Sequence, residues 1–398
     1  MNILFVTDTD ISPLSGGINR IVSLLAGGFA RLPGYKCFLA YADGSKDATA
    51  TRFEKKIKIA AQSVRPAFSD FITANRIDAV IVSTASKQNI KFLLPELQRI
   101  IKGEPVPVYF WYHSMPGYEL AGISGRVARY RIVHQKNKFL TAEKWMLGLL
   151  NNPPCRAILE KFLRKKYAFI CNHADKVILL SDGYIAPFAR YARLPCTAGL
   201  VAIGNSLSFD FFATSEEIKA KEKIVLIVAR MDEDSKRISM ALRIWRLVEK
   251  YGKSNDWKLV IVGSGDDEQY CRQWAQKRKL QNVVFEGKQN PVSYYRQASV
   301  FMMTSAHEGF PVTLLEALQM GVVPVAFDSF SAVHDIIQDG HNGLLVPNND
   351  IKTYAAQLIR LMENEPLRHT MAQNAVESSG RFELSGVIKA WVTLLALK

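Results

Sequence analysis

Short, almost unbroken apolar runs punctuate this chain at 2–7, 37–41, 79–83, 106–111, 174–181, 224–229, 257–262, 283–287, 298–303 and 322–326, with a shorter one ending at 346. Runs of that length without polar alternation are the mark of strands buried on both faces. Between them the apolar positions recur at three- and four-residue spacing, as over 18–29, 53–76, 88–101, from about 238 to 250, 291–297 and 384–397. Strand and helix alternating along the chain predict an α/β protein built on parallel sheets. A polar, charged stretch from 206 to 223 interrupts the alternation and reads as a linker. The expected division is 1–205, 206–380, and a last helix, 381–398, packing back toward the first domain.

One stretch stands out: His307-Glu308-Gly309-Phe310-Pro311-Val312-Thr313-Leu314-Leu315-Glu316, ending at Gly321. It follows the run 298–303 and precedes the run 322–326, so it must be loop and helix between two strands. Pro311 suits the first turn of a helix, where its missing N–H would have had no partner. Gly321 suits a left-handed helix stop. Glu308 then stands at the helix mouth and Glu316 in its second turn. Free N–H groups and the helix dipole favour an anion there. Carboxylates beside an anion site make sense when the ligand also carries hydroxyls, as a sugar on a nucleoside diphosphate does.

At 398 residues the chain exceeds one ordinary core. Its 48% apolar and 22% charged content is that of a globular protein. No run of 18 apolar residues is present, so no membrane-crossing helix is expected, and the opening residues lack the basic region of a signal peptide. Five scattered cysteines without CxxC spacing fit a reducing cytoplasm and no structural metal. Charge changes the picture more. Residues 1–200 hold 28 Lys and Arg against 14 Asp and Glu, while 201–398 hold 23 of each. The stretch 121–166 alone has 11 basic and 2 acidic residues, interleaved with Tyr130, Phe139, Trp145 and leucines. That pattern suits a helical surface element facing an anionic leaflet, and equally a solvated helix face. Nucleic acid would also attract the charge, but no nucleic-acid motif accompanies it.

Other candidates follow from position. Gly16-Gly17 before a helix allows a close backbone approach to a ligand. His113 follows a buried strand, and ligands gather at the carboxyl ends of parallel strands. Arg230 at a strand end and Lys236 before the next helix can clamp a diphosphate from two sides. Gly263-Ser-Gly265 invites a dinucleotide reading, with Glu286 about 20 residues on. Glu268 at the third small-residue position argues against it. Asp8-Thr-Asp10 and Asp232-Glu-Asp234 spell D-x-D, a triplet common by chance, and neither is taken as a metal site.

The second half resembles the retaining GT-B glycosyltransferases of group 1 (family 4). The pieces arrive in that family's order: Ile203-Gly-Asn205, Ala229-Arg230 with Lys236, Val262-Gly-Ser-Gly265, Val284-Phe-Glu-Gly287, Ser305 through Glu316-Ala317, Pro324-Val325, and Asp339 to Leu345. The match runs over about 200–350. The resemblance implies two Rossmann-like parallel-sheet domains facing across a cleft. It implies that Glu308 holds donor-sugar hydroxyls and Glu316 the ribose, and that Arg230 and Lys236 neutralise the diphosphate. Gly263, Glu286 and the backbone of Gly309, Phe310, Pro311 and Val312 would line the nucleotide. His113 would lie over the donor sugar, with Gly16 and Gly17 at the phosphate or acceptor side.

The activity implied is transfer of a hexose from a UDP- or GDP-linked donor to a glycan or lipid-linked acceptor, with retention, in cell-surface polysaccharide or glycolipid synthesis. No metal and no separate cofactor are expected, and the location implied is cytoplasmic, on the inner face of the membrane. A nucleotide-sugar epimerase, a sugar-phosphate synthase, or a non-catalytic nucleotide-sugar-binding protein would use similar parts. Two departures stand out: Ser206 stands where the family often has Gly, which concerns the linker more than the chemistry, and Phe330-Ser331-Ala332 where it favours a glycine pair, which bears on the donor.

Overall fold

The structure, a computed structural model, describes residues 1–11, 16–44, 52–59, 65–84, 94–95, 97, 106–121, 125–134, 142, 145–146, 153–251 and 256–397. The chain divides into two compact units, one of Met1–Gly117, Glu160–Ser208 and Phe382–Lys398, the other of Tyr118–Leu159 and Phe209–Arg381.

The first unit is a seven-stranded parallel sheet of β1 (Asn2–Thr9), β2 (Lys36–Asp43), β3 (Lys55–Lys58), β4 (Ala79–Ser83), β5 (Val108–Trp111), β6 (Lys176–Leu179) and β7 (Leu200–Ala202). Its order is β3-β2-β1-β4-β5-β6-β7. Ile3, Leu4, Phe5 and Val6 of the central β1 are fully buried, as an apolar run flanked by two strands requires. The helix Leu384–Ala396 covers the helix Gly17–Phe29, and Gly28 is what permits the approach. A Cβ there would lie 2.5 Å from Ile388 Cδ1. Trp391 on that last helix is wholly buried, its ring centroid 5.1 Å from that of Trp111.

The second unit is a six-stranded parallel sheet of β8 (Glu222–Val228), β9 (Lys258–Val262), β10 (Val283–Gly287), β11 (Ala298–Met303), β12 (Val323–Asp328) and β13 (Leu344–Pro347). Its order is β10-β9-β8-β11-β12-β13. In both sheets the chain reverses direction of growth once, between β1 and β4 and between β8 and β11. Ligands of open parallel sheets bind outside the carboxyl ends of the strands at such a point.

Four readings of the sequence are corrected. Residues 55–58, expected to begin a helix, form the edge strand β3, and the helix there is Arg65–Ala74. The edge carries Lys55, Lys56 and Lys58, which suits an unpaired strand flank but removes the apolar signal. Leu200–Ala202 is a strand that three residues were too few to announce. The expected linker contains a helix, Ser215–Lys219, with a capping box: Glu217 N–H donates to Thr214 Oγ1 at 3.2 Å, and Thr214 N–H to the Glu217 carboxylate at 2.9 Å.

The fourth concerns the described residues of 118–159, which the sequence division leaves in the first domain and which group with the second unit. On the helix Gly125–His134, Val127, Tyr130 and Arg131 share one face at i, i+3, i+4 spacing. Val127 enters the second unit's core, the Tyr130 ring lies 5.1 Å from that of Tyr270, and Arg131 is buried among carboxylates. Much of the expected helix 88–101, and Lys136, Lys138, Phe139, Leu140, Lys144, Leu149 and Leu150 of the basic stretch, lie outside the described residues. Among the described residues no helix is long and apolar enough to cross a membrane.

Candidate active site

At the β8/β11 switch of the second unit, two loops meet. The first leaves β8 through Arg230 and reaches Lys236 ahead of the helix Ile238–Lys250; the second leaves β11 through Thr304 and reaches Glu308 ahead of the helix Val312–Gln319. Lys236 Nζ lies 2.5 Å from Glu308 Oε1, and Ser305 Oγ donates to the same oxygen at 2.6 Å. Both charged side chains are half sheltered, 22% and 11% exposed, so their attraction is less screened than on an open surface. A hollow lined by Ala229, Lys236, Ser305, Glu308 and Thr313 opens beside the pair.

Arg237 stitches the loops together. It is a non-glycine residue at φ 52°, and its guanidinium donates at 2.7 Å to the carbonyls of both Thr304 and Ser305. Ala306 N–H donates to Ser235 O at 2.6 Å, and Thr304 Oγ1 to Lys236 O at 3.0 Å. Desolvation pulls the Arg237 pKa down to about 10, with Glu233 and Tyr354 opposing, so the group stays cationic. Sequence reading missed Arg237, whose backbone-carbonyl partners only the fold brings near, and quoted Ser305 in the motif without giving it a task.

The remaining expected residues divide. Arg230 is 72% exposed and donates to Asp232 Oδ2 at 2.9 Å. Phe310, Pro311 and Val312 are buried, so their backbone, with that of Gly309, is what they could offer a ligand. Glu316 is wholly buried, and the Tyr295 hydroxyl lies 3.0 Å from its Oε2 and 3.1 Å from the Thr313 carbonyl. Gly263 has a reason within the fold: at φ 134°, a Cβ would stand 2.0 Å from the Ala229 carbonyl oxygen. Glu286, on the edge strand β10, accepts from the Tyr294 hydroxyl. Desolvation first, and then Glu286, raise that phenol's pKa.

The first unit has its own polar group at the β1/β4 switch. His113, just past β5, shares a 2.8 Å hydrogen bond between Nε2 and Ser83 Oγ at the end of β4. Thr84 donates to Asp8, and Lys56 to Asp10 at 3.0 Å. Gly16 stands at φ 99°, and open space surrounds the Cβ positions of both Gly16 and Gly17. Desolvation lowers the His113 pKa to about 3, with Asp8 opposing, so the ring is neutral near pH 7.

That shift has a sign in stability. A His with a depressed folded pKa contributes fully above its unfolded value, near 6.5, and loses that contribution as pH falls toward 3. Wild type is expected to lose, between those limits, at most about 1.4 kcal/mol per pH unit that His113→Gln does not lose. Urea unfolding of both proteins at pH 7, 5.5 and 4.5 reads the difference. Parallel profiles would remove the assignment.

Residues 208–378 match the family model for glycosyl transferases group 1. Those residues, with the six-stranded sheet of the second unit, form a group 1 glycosyltransferase domain. The amylovoran biosynthesis glycosyltransferase AmsD of Erwinia amylovora is 28% identical over 238 residues, 58% of this chain and 65% of that protein. An α-1,4-N-acetyl-D-galactosaminyltransferase of Campylobacter jejuni is 29% identical over 241 residues, 59% of this chain and 63% of its own. The chain thus spans slightly less than two thirds of these relatives. Among solved structures, HepE of Anabaena, crystallised with UDP and glucose, superposes over 100% of this chain and 99% of its own, with TM-score 0.74 at 16% identity. That likeness is one of fold, the GT-B fold. Within the group 1 domain, the Lys236–Ser305–Glu308 cluster lies at the switch point that the sheet order marks out.

Proposed function

We propose that this protein is a glycosyltransferase that moves a sugar from a nucleoside-diphosphate donor to a glycan or lipid-linked acceptor, in the making of a cell-surface polysaccharide or glycolipid. The observation that carries the reading is the Lys236–Glu308 pair, backed by Ser305, at the β8/β11 switch of a group 1 domain. Departure of a diphosphate builds negative charge, and fixed cations stabilise it in the transition state. Lys236 and Arg230 are the cations of that loop, Glu308 is the acceptor for a donor-sugar hydroxyl, and the N–H groups at the helix mouth are further donors. His113, kept neutral, offers a hydrogen bond without a charge. Glu316 on the ribose is part of the proposal, with a ribose hydroxyl competing against Tyr295. The donor proposed is UDP-linked, because HepE was crystallised with UDP and glucose. Retention of configuration is proposed on the family resemblance.

The deciding experiment incubates the protein with a panel of UDP- and GDP-sugars and follows nucleoside diphosphate release, with and without a membrane extract containing lipid-linked glycans. Release that depends on the extract is expected. Turnover of a soluble sugar phosphate alone, or binding without release, would set the reading aside. Release is also expected to survive excess chelator, since Asp232 and Asp234 already lie on Arg131, and Asp8 and Asp10 on Thr84 and Lys56.

We further propose that the basic stretch 121–166 holds the protein at an anionic leaflet beside its acceptor. Val133, Met146 and Ile158 are 72%, 56% and 60% exposed, and Lys161 and Lys165 are exposed too. Apolar and basic positions interleaved along a sequence suit an interface, where each cation contributes about 1 kcal/mol. Co-sedimentation should rise with anionic lipid, fall with salt, and drop when Lys161, Arg164 and Lys165 are together changed to Glu. Equal binding to neutral vesicles would leave the stretch as a solvated face.

A further inference from the structure

Arg131 lies within the basic stretch, yet it does not face solvent. It is buried, with Nε donating to Asp267 Oδ1 at 2.8 Å, Nη2 to Asp267 Oδ2, and Nη1 to Asp234 Oδ1 at 2.8 Å; Asp232 Oδ1 is 3.6 Å from Nη2. Asp267 is wholly buried and also accepts from Glu233 N–H at 2.8 Å, while its own N–H donates to Met231 O at 3.1 Å. Asp232 accepts from Arg230 and from Asp234 N–H, and its carbonyl accepts from Lys236 N–H at 2.7 Å. Met231, Glu233 and Asp234 are therefore tied to the guanidinium of Arg131 within one or two hydrogen bonds, and Arg230 and Lys236 are reached through Asp232.

We infer that Arg131 is a positioning residue for the donor-diphosphate loop: it neutralises Asp234 and Asp267, shares Asp232 with Arg230, and so holds the loop from which Arg230 and Lys236 reach an anionic ligand. This rests on the reading that those two cations hold the diphosphate. The physics runs through charge and through geometry. Carboxylates so close to an anion site repel the ligand and compete for its cations unless a fixed positive group balances them. Arg suits the task because its planar fork meets two oxygens of Asp267 while a third N–H reaches Asp234. Lys could meet one carboxylate at a time. The helix Gly125–His134 that carries Arg131 is anchored independently by Val127 in the core and by Tyr130 against Tyr270. Arg131 can therefore be changed while the helix keeps its seat.

The test titrates UDP calorimetrically into the full-length wild type, Arg131→Gln, Arg131→Lys and Val127→Ala, with thermal midpoints and donor KM and kcat for each. Arg131→Gln should weaken UDP by about tenfold or more and raise donor KM more than it lowers kcat, with Arg131→Lys recovering part of the loss. Val127→Ala, which loosens the same helix without touching the carboxylates, should lower the midpoint and leave UDP affinity within about twofold. If Arg131→Gln does not fold, Asp234→Asn takes its place: it removes one partner, keeps the Arg131–Asp267 pair, and should shift UDP affinity measurably at an unchanged midpoint. UDP affinity within about twofold of wild type in both variants overturns the inference, as does an equal loss in Val127→Ala. A wild type that binds neither UDP nor GDP overturns the donor reading itself, before any variant is compared, and the inference falls with it.

Discussion

Glu308→Gln is expected to lose turnover by about a hundredfold or more while its affinity for nucleoside diphosphate stays within a few fold of wild type. Lys236 at 2.5 Å and Ser305 at 2.6 Å hold one oxygen of Glu308, which fixes the carboxylate at the helix mouth, where the proposed function has it accept from a sugar hydroxyl. The amide keeps the shape but loses the charge that strengthens that hydrogen bond as the sugar gains positive character. Lys236→Ala should behave in the opposite way. Losing a charge-assisted contact costs about 1.5–3 kcal/mol, or roughly 10- to 150-fold in diphosphate affinity. It also leaves Glu308 without its partner, facing an anion. The double variant Lys236→Ala with Glu308→Gln should therefore bind diphosphate better than Lys236→Ala alone. Equal affinity in the single and double variants would show that the pair does not share the diphosphate site.

The largest loss of stability is expected from Gly263→Ala. A Cβ there would stand 2.0 Å from the Ala229 carbonyl oxygen, and φ 134° is a region that L side chains rarely adopt. Neither neighbour is a flexible side-chain end, so backbone must move. The strain and the displaced strand ends together should cost about 3 kcal/mol or more. For a unit of this size that is roughly 6–12 °C in Tm. Gly16→Ala is the contrast: its φ is 99° but its Cβ would meet nothing within 4 Å, so about 1 kcal/mol is expected. Matched thermal scans of the two variants check the ranking. A Gly263→Ala protein as stable as Gly16→Ala would mean the two strand ends have room to part.

The central strands were legible because burial on both faces leaves few polar positions: 79–83 and 298–303, with one serine each, run the full length of β4 and β11. The edge strand β3 was not, since lysines on an open flank look like a helix surface. Glu308 and Lys236 could be named because a helix mouth and a strand end each carry a local signal. One of their supports could not. Arg237 acts between loops that touch only after β8 and β11 pair. The placement of Arg131 depends on Asp267, 136 positions away in sequence. A basic helix gives no sign of which arginine will be buried, and the D-x-D at 232–234 gives no sign that a guanidinium will sit on it.

The two units are completed in the reverse of the order in which they begin. The second unit has all of its residues once Arg381 has been made, whereas the first still lacks Phe382–Lys398. Those residues bring Trp391, Leu394 and Leu395, all buried, and Ile388 against Gly28. A growing chain therefore carries its earliest sheet with part of its apolar cover missing for as long as the rest takes to appear, tens of seconds at about 5–20 residues per second. The exposed surface of a nascent parallel sheet is what chaperones bind, so the first unit, not the second, is the natural client during translation. A nonsense change at position 382 would release a complete second unit attached to a first unit without its last helix.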